Sequence, residues 1–206
     1  MVSWSLTRLN QPGIDINKFP REDWSATPYG ECKEEIPSNA PDPRGIAFTM
    51  RAFVDSNHAG DMITQRSRTG FLVFLNNAPI YWFSKKQGSC ETSSFGSKFI
   101  AMKSCCEYVR GLRYKLRMLG IPVELPTYIF GDNQSVLVSS SKPHSNLKKK
   151  FSSIAFHFFR EGAVKDEWRV AYINKNFNPT YMATKSLDGG EKRSCFTSYL
   201  LHCVYD

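Results

Sequence analysis

Three short segments rich in β-branched and aromatic residues follow one another between residues 49 and 84, and a long amphipathic segment comes after them. The predicted strands are residues 49–56, 69–76 and 79–84. The connection between the last two is only a short polar turn, which is typical of antiparallel neighbours. This pattern predicts a three-stranded antiparallel meander, and of all features in the chain it limits the possible folds most.

A long helix is predicted directly after the meander. Ser93 or Ser94 is suited to cap its start, and Gly120 followed by Pro122 is typical of a helix end. The apolar residues recur at steps of three and four, which predicts a stripe that packs on the sheet. They are Phe99, Met102, Cys106, Val109, Leu112, Leu116 and Leu119. The other side of the helix is basic, and the pattern alone favours a solvated face there.

The rest of the chain alternates predicted strands with predicted helices. Residues 127–131 and 168–173 are strand-like, residues 133–138 are helical, residues 151–161 are mixed, and a short helix ends near Lys185. Together with the meander, this order predicts an α/β fold with a mixed five-stranded sheet, its first three strands antiparallel, flanked by helices.

The first 48 residues differ in composition from the remainder. Six prolines interrupt them, and proline removes a backbone donor and fixes φ. These are Pro12, Pro20, Pro28, Pro37, Pro41 and Pro43. We therefore predict an extended lead-in over residues 1–48, a layered domain over residues 49–187, and an apolar tail over residues 188–206 that forms a packed helix.

The charge is concentrated in the predicted domain. The chain has 27 Lys or Arg and 19 Asp or Glu, a formal net charge of +8. Residues 1–48 hold five basic and seven acidic side chains, so residues 49–206 carry +10. A basic domain indicates a polyanionic partner, without identifying it. With no signal peptide and no apolar run of about 18 residues, the sequence predicts an intracellular protein, cytoplasmic or nuclear, without a membrane span.

Two aspartates each end a predicted strand, where the sheet holds the backbone in place and the side chain is accessible. These are Asp55 and Asp132. If the two strands are neighbours, the carboxylates converge at one edge of the sheet, and paired carboxylates suit Mg²⁺ or Mn²⁺ in phosphodiester hydrolysis. The alternative is that each aspartate is a turn former or a helix cap, which is a strong alternative for Asp132.

Four motifs in this chain resemble the ribonuclease H region of copia-type LTR retrotransposon Pol polyproteins. They are residues 53–61 (FVDSNHAGD), 66–70 (RSRTG), 79–87 (PIYWFSKKQ) and 131–135 (GDNQS). The resemblance extends from about residue 49 to about residue 187, in the order and spacing of that family. It implies the ribonuclease H fold and an enzyme that degrades the RNA strand of an RNA–DNA hybrid with two divalent ions, Mg²⁺ or Mn²⁺, held by four carboxylates.

Only two of the four catalytic and metal-binding positions implied by this resemblance hold a carboxylate here. Asp55 and Asp132 match, whereas Lys98 stands at the expected glutamate and Tyr181 at the last expected aspartate. The formal charge of the four positions is therefore −1 rather than −4. We expect metal affinity to be weak or absent, and we hypothesise that Lys98 pairs with both aspartates in place of a cation. Of Glu91, Glu107 and Asp188, Asp188 is the best candidate for a compensating ligand.

The resemblance also changes the interpretation of the basic residues. In a ribonuclease H-like setting, such side chains contact phosphates of the hybrid. The predicted nucleic-acid-binding residues are Lys85, Lys86, Lys103, Arg110, Arg113, Arg117, Lys148, Lys149 and Lys150. A further implied partner is the reverse transcriptase domain of the parent polyprotein, which the lead-in would connect to this domain.

Three hypotheses on function follow from the sequence. The first is a retrotransposon-derived ribonuclease H domain that has lost catalysis and keeps affinity for nucleic acid. The second is an active hybrid ribonuclease with unusual ligands. The third is a binding or structural module in which the fold is reused without any nuclease function.

Overall fold

The computed structural model describes residues 21–30, 32–146, 152–186, 190 and 193–194. Within these residues the elements follow in the order β1 (Met50–Asn57), β2 (Arg68–Leu75), β3 (Ala78–Lys86), α1 (Ser94–Met118), β4 (Thr127–Gly131), α2 (Gln134–Ser141), α3 (Ser153–Val164), β5 (Trp168–Tyr172) and α4 (Tyr181–Thr184). The segment predicted as mixed contains a regular helix, α3, and α2 extends three residues beyond the predicted end.

The five strands form one mixed sheet with the order β3-β2-β1-β4-β5. The pairs β1–β2 and β2–β3 are antiparallel, whereas β4 lies parallel to both β1 and β5. Parallel neighbours need long connections. Here β2, β3 and α1 lie between β1 and β4, and α2 and α3 lie between β4 and β5. The predicted fold class, an α/β fold with a mixed five-stranded sheet and an antiparallel start, is confirmed.

Helix α1 packs along the sheet on the predicted apolar stripe. Ser93 caps its start, because the Oγ accepts a hydrogen bond of 3.2 Å from the Gly96 N–H. Most residues of the stripe are buried, but Leu119 is 73% exposed because it follows the last helical turn. On the predicted basic side, Arg113 is buried, so this side is not uniformly solvated.

Both faces of the sheet are covered by apolar clusters. The larger cluster lies between the sheet and helices α1, α2 and α3, with Trp168 among its buried residues. The smaller cluster lies on the other face and includes Phe53, Phe74 and Phe130. Alternation along β1 explains the division, because Ala52 and neighbouring even positions face α1 while Phe53 faces away.

The close approach between α3 and β5 leaves no room for a side chain at Gly162. A Cβ on Gly162 would lie 2.0 Å from Cζ2 of the buried Trp168. Gly162→Ala gains about 1 kcal/mol of helix propensity, but forcing a methyl group against a rigid indole costs about 1–3 kcal/mol or more. We expect a net decrease in the free energy of unfolding, measured by urea denaturation. Gly111→Ala is the matched control in α1, where nothing lies within 4 Å, and is expected to stabilise. A Gly162→Ala protein as stable as the Gly111→Ala protein would contradict this reasoning.

The described part of the lead-in packs against the layered domain at several points. Trp24 is buried, and the Arg160 guanidinium lies 5.0 Å from its ring. Glu34 forms ion pairs with Arg113 and Arg117 of α1. Residues 21–30 and 32–48 form no helix or strand, so side chains rather than backbone ladders fix this segment. The boundary between residues 48 and 49 remains a prediction.

Several sequence predictions fall outside the described residues. These concern the basic run Lys148, Lys149 and Lys150, the candidate ligand Asp188, and most of the tail over residues 188–206. Among the helices that the structure describes, none is long and apolar enough to cross a membrane.

Candidate functional site

The parallel pairing of β1 and β4 brings Asp55 and Asp132 to the same edge of the sheet. Val54 is the register partner of Gly131, so the residue that follows each of them lies at the same level. Asp55 belongs to β1 and is 5% exposed, whereas Asp132 follows β4 directly and is 13% exposed. The two carboxylates therefore converge, as expected for neighbouring strands, but in a largely desolvated place rather than an accessible one.

Lys98 lies between these carboxylates. It extends from the second turn of α1, and its Nζ donates to Asp55 Oδ1 at 3.3 Å and to Asp132 Oδ1 by a short contact. The Lys98 side chain is 18% exposed, so water screens the three charges only partly. Lysine at this position thus places one positive charge where the two aspartates meet.

Helix α4 supplies another partner for Asp55. Thr184 Oγ1 donates a hydrogen bond of 2.8 Å to Asp55 Oδ2. This contact depends on Gly70 of β2, because a Cβ there would lie 2.6 Å from Thr184 Cγ2. Asn178, which precedes α4, donates from Nδ2 to the Val54 carbonyl at 3.0 Å and ties the segment to β1. Both oxygens of Asp55 therefore have a donor within the protein.

Tyr181, at the last position of the predicted ligand set, is the first residue of α4. The Lys185 Nζ lies 4.3 Å from the centroid of its ring, a distance typical of a cation–π contact. A phenol in this place adds no carboxylate to the site. At this predicted ligand position, α4 thus presents an aromatic side chain.

The donor set does not fit a pair of divalent metal ions. Two-ion sites need several carboxylates around both ions, and within the described residues no group of three His, Cys, Asp or Glu side chains converges. Glu107, one candidate for compensation, instead pairs with Lys103 at 2.6 Å on the surface of α1. Lys98 also brings a positive charge to the place between Asp55 and Asp132. A unit charge repels a divalent cation about 4 Å away by roughly 8 kcal/mol at an effective dielectric constant of about 20.

Most of the predicted nucleic-acid-binding residues that the structure describes have acidic partners within the protein. Lys86 pairs with Asp61, Lys103 with Glu107, and Arg110 Nε donates to Glu167 at 2.6 Å. Lys85 is exposed, and no ion pair links it to another described residue.

Two of these predictions need correction. Arg113, which is 2% exposed, donates from Nε and Nη2 to the two Glu34 oxygens at 3.1 and 2.7 Å, and from Nη1 to the Leu125 carbonyl. Arg117 donates to the same carboxylate and to the Val123 carbonyl. Their donors are committed inside the protein, so neither side chain presents a basic surface for phosphates.

Sequence reasoning missed three contributors to these arrangements. Glu34 lies 79 residues from Arg113 along the chain, so no local pattern connects them. Thr184 and Gly70 belong to the region that the resemblance covers, yet their mutual packing requires the tertiary fold. The only available signal for Glu34 was its place among the acidic residues of the lead-in.

The sequence has relatives of known origin. No protein-family model matches it. It is 26% identical over 144 residues to the retrovirus-related Pol polyprotein from transposon RE1 of Arabidopsis thaliana. It is 25% identical over 146 residues to that from transposon TNT 1-94 of Nicotiana tabacum. These matches cover 70% and 71% of this chain but only 10% and 11% of the polyproteins, so the chain spans a small part of their length.

Solved structures share the fold. LC11-RNase H1, isolated from compost by a metagenomic approach, has a TM-score of 0.50 at 13% identity, covering 66% of this chain and 89% of that protein. The structure of LC11-RNase H1 in complex with an RNA–DNA hybrid has the same TM-score at 11% identity, covering 63% and 88%. Together with the strand order β3-β2-β1-β4-β5, these structural similarities show that the chain has a ribonuclease H fold. Its sequence relatives are retrovirus-related Pol polyproteins of transposons, so the predicted resemblance to them is confirmed.

Proposed function

We propose that this chain is a ribonuclease H-like domain of retrotransposon origin that binds RNA–DNA hybrids without cleaving them. The observation that carries the proposal is the Lys98 ammonium group between Asp55 and Asp132. The domain keeps the fold and the strand-end carboxylates but lacks the remaining acidic ligands.

The loss of catalysis follows from the charges at the site. Hydrolysis by two divalent ions uses the ions to activate water and to stabilise the leaving oxygen. Here two carboxylates and one ammonium group sum to −1, and hydrogen bonds from Lys98 and Thr184 already engage the oxygens of Asp55. A metal ion would have to displace Lys98, and Tyr181 offers it no carboxylate.

Binding of a hybrid depends on different groups. Phosphate contacts from Lys and Arg dominate the affinity of proteins for nucleic acids, and they require no catalytic carboxylate. The net charge of +10 over residues 49–206 supports such contacts. A solved protein of the same fold is described in complex with an RNA–DNA hybrid, which supports the choice of hybrid as the partner.

The test is cleavage of an end-labelled RNA–DNA hybrid with Mg²⁺ or Mn²⁺. The unsubstituted chain is expected to give no product above background. The double variant Lys98→Glu/Tyr181→Asp, which restores four carboxylates, is expected to cleave the RNA strand. Adding Asp132→Asn to the double variant is the control and should abolish the recovered activity. Cleavage by the unsubstituted chain would contradict the proposal and would instead support an active ribonuclease with unusual ligands.

A further inference from the structure

A group of basic side chains, exposed or partly exposed, lies at the end of the sheet that holds the site. We name it the basic rim, and it consists of Arg66, Arg68, Lys85 and Lys185. Hydrogen bonds connect its elements, because Arg68 Nη1 donates to Ser84 Oγ at 3.3 Å and Ser84 Oγ donates to the Ala183 carbonyl at 2.6 Å. The start of β2, the end of β3 and the end of α4 therefore meet at this end of the sheet.

The acidic side chain of the loop before β2 is paired with a lysine outside the rim. Asp61, in the loop before β2, is paired with Lys86, which lies outside the four rim residues. The pKa of Asp61 is held far below its ordinary value of 3.8, mainly by the hydrogen bond with Lys86, so this carboxylate stays charged and paired. The Asp61 carboxylate therefore does not neutralise the positive charges of the four rim residues.

The centre of the site is compensated from inside the protein. Two unpaired carboxylates beside the rim would repel the phosphates of a duplex, since the Debye length of about 8 Å at physiological salt leaves neighbouring charges largely unscreened. In a metal-dependent nuclease the ions remove this repulsion. Here the Lys98 Nζ, 3.3 Å from Asp55 Oδ1 and in contact with Asp132, removes half of the negative charge without any ion.

We infer that the basic rim binds the phosphate backbone of an RNA–DNA hybrid without a divalent metal ion, because Lys98 permanently supplies the positive charge that ions would otherwise bring. This inference rests on the proposed function and specifies its ligand contacts and its independence of metal. Lys98 is a positioning residue in this arrangement, because it affects the phosphates by neutralising part of the negative charge of the two aspartates.

The experiment measures the Kd of a short fluorescent RNA–DNA hybrid by anisotropy, in EDTA and in MgCl2, over a series of salt concentrations. The unsubstituted chain is expected to bind equally well in both. Arg68→Ala/Lys85→Ala is expected to weaken binding and to reduce the slope of log K against log salt by about 0.9 for each phosphate that the protein no longer neutralises. Lys115→Met, an exposed lysine about 25 Å along α1 from Lys98, is the matched control and should leave binding unchanged.

The decisive variant is Lys98→Met. In EDTA its Kd is expected to rise at least about tenfold, since two carboxylates then face the phosphates, and MgCl2 should restore the affinity. Asp132→Asn removes a negative charge instead and is expected to lower the Kd in EDTA. This variant tests the same inference if circular dichroism shows that Lys98→Met does not fold.

The outcomes separate the inference from the proposed function. Binding by the unsubstituted chain that disappears in EDTA would overturn the inference and leave the proposed function intact. Binding by Lys98→Met in EDTA that matches the unsubstituted chain, or a Kd for Asp132→Asn that does not fall, would also overturn the inference. No binding by the unsubstituted chain under either condition would overturn the proposed function itself.

Discussion

Replacing Glu34 by alanine is expected to lower the free energy of unfolding by about 3–5 kcal/mol. Glu34 accepts hydrogen bonds from both Arg113 and Arg117, with distances of 2.7 Å from each Nη2 to its Oε2. Arg113 is 2% exposed, so removing the carboxylate leaves a guanidinium charge in the interior without compensation. The cost of breaking such a pair is large because the remaining charge cannot recover its hydration. Urea denaturation at neutral pH measures the change.

Glu35→Ala is the matched control for this prediction. Glu35 is the adjacent exposed glutamate of the lead-in and makes no ion pair with a residue that the structure describes. Its replacement is expected to change stability by less than about 0.5 kcal/mol. Equal effects of Glu34→Ala and Glu35→Ala would show that the lead-in does not dock on α1 through Glu34.

The same ion pairs give a defined dependence on pH. Burial by itself would raise the pKa of Glu34, but the hydrogen bonds and charges of Arg117 and Arg113 outweigh it and hold the pKa below its ordinary value of 4.5. Because the folded-state pKa is lower than the unfolded one, the stabilisation is fully present above 4.5 and is lost as the pH falls through the folded-state value. The difference in stability between the unsubstituted chain and Glu34→Gln should therefore shrink in acid.

Replacing Lys98 by methionine is expected to lower the free energy of unfolding by about 3 kcal/mol. The two carboxylates it contacts are 5% and 13% exposed, and without the ammonium group they face each other in a poorly hydrated place. Methionine keeps the aliphatic volume of the lysine side chain, so the change removes charge and little packing. Thermal unfolding followed by circular dichroism measures the effect, and Lys98→Arg should recover part of it.

The control for this variant lies on the same helix. Lys103 pairs with Glu107 at 2.6 Å, but both side chains are well exposed. A surface pair one helical turn apart contributes about 0.3–0.5 kcal/mol, so Lys103→Met should have a small effect. If Lys98→Met proved no more destabilising than Lys103→Met, the Lys98 contacts with Asp55 and Asp132 would stabilise the fold no more than an exposed ion pair does.

The strands and the long helix could be predicted from the sequence because their signals are local. Residues 127–131 alone contain the whole of β4, and Ser93 with Gly120 bounds α1 to within two residues. Leu119 shows where a periodic pattern misleads, since the apolar period continues past the last turn into an exposed cap. Periodicity gives the face of a helix but not the residue at which its packing ends.

The candidate site was predictable only in part. Asp55 and Asp132 each end a strand, and the resemblance by itself predicted that Lys98 lies beside them. The sequence could not show that Thr184 completes the hydrogen bonding of Asp55, because this contact depends on α4 approaching the sheet over Gly70. It also gave no sign that the basic face of α1 is divided between accessible lysines and a buried arginine.

The sequence by itself determined the order of strands and helices, the resemblance to retrotransposon Pol polyproteins, and the presence of Lys98 and Tyr181 where that resemblance implies acidic residues. These depend on residue identity and on spacing along the chain. Only the tertiary structure decided which charges meet: Lys98 with both aspartates, and Glu34 with Arg113 and Arg117. The physical reason is that electrostatic energy depends on distance and burial in space, and these partners are separated by 34 to 83 residues along the chain.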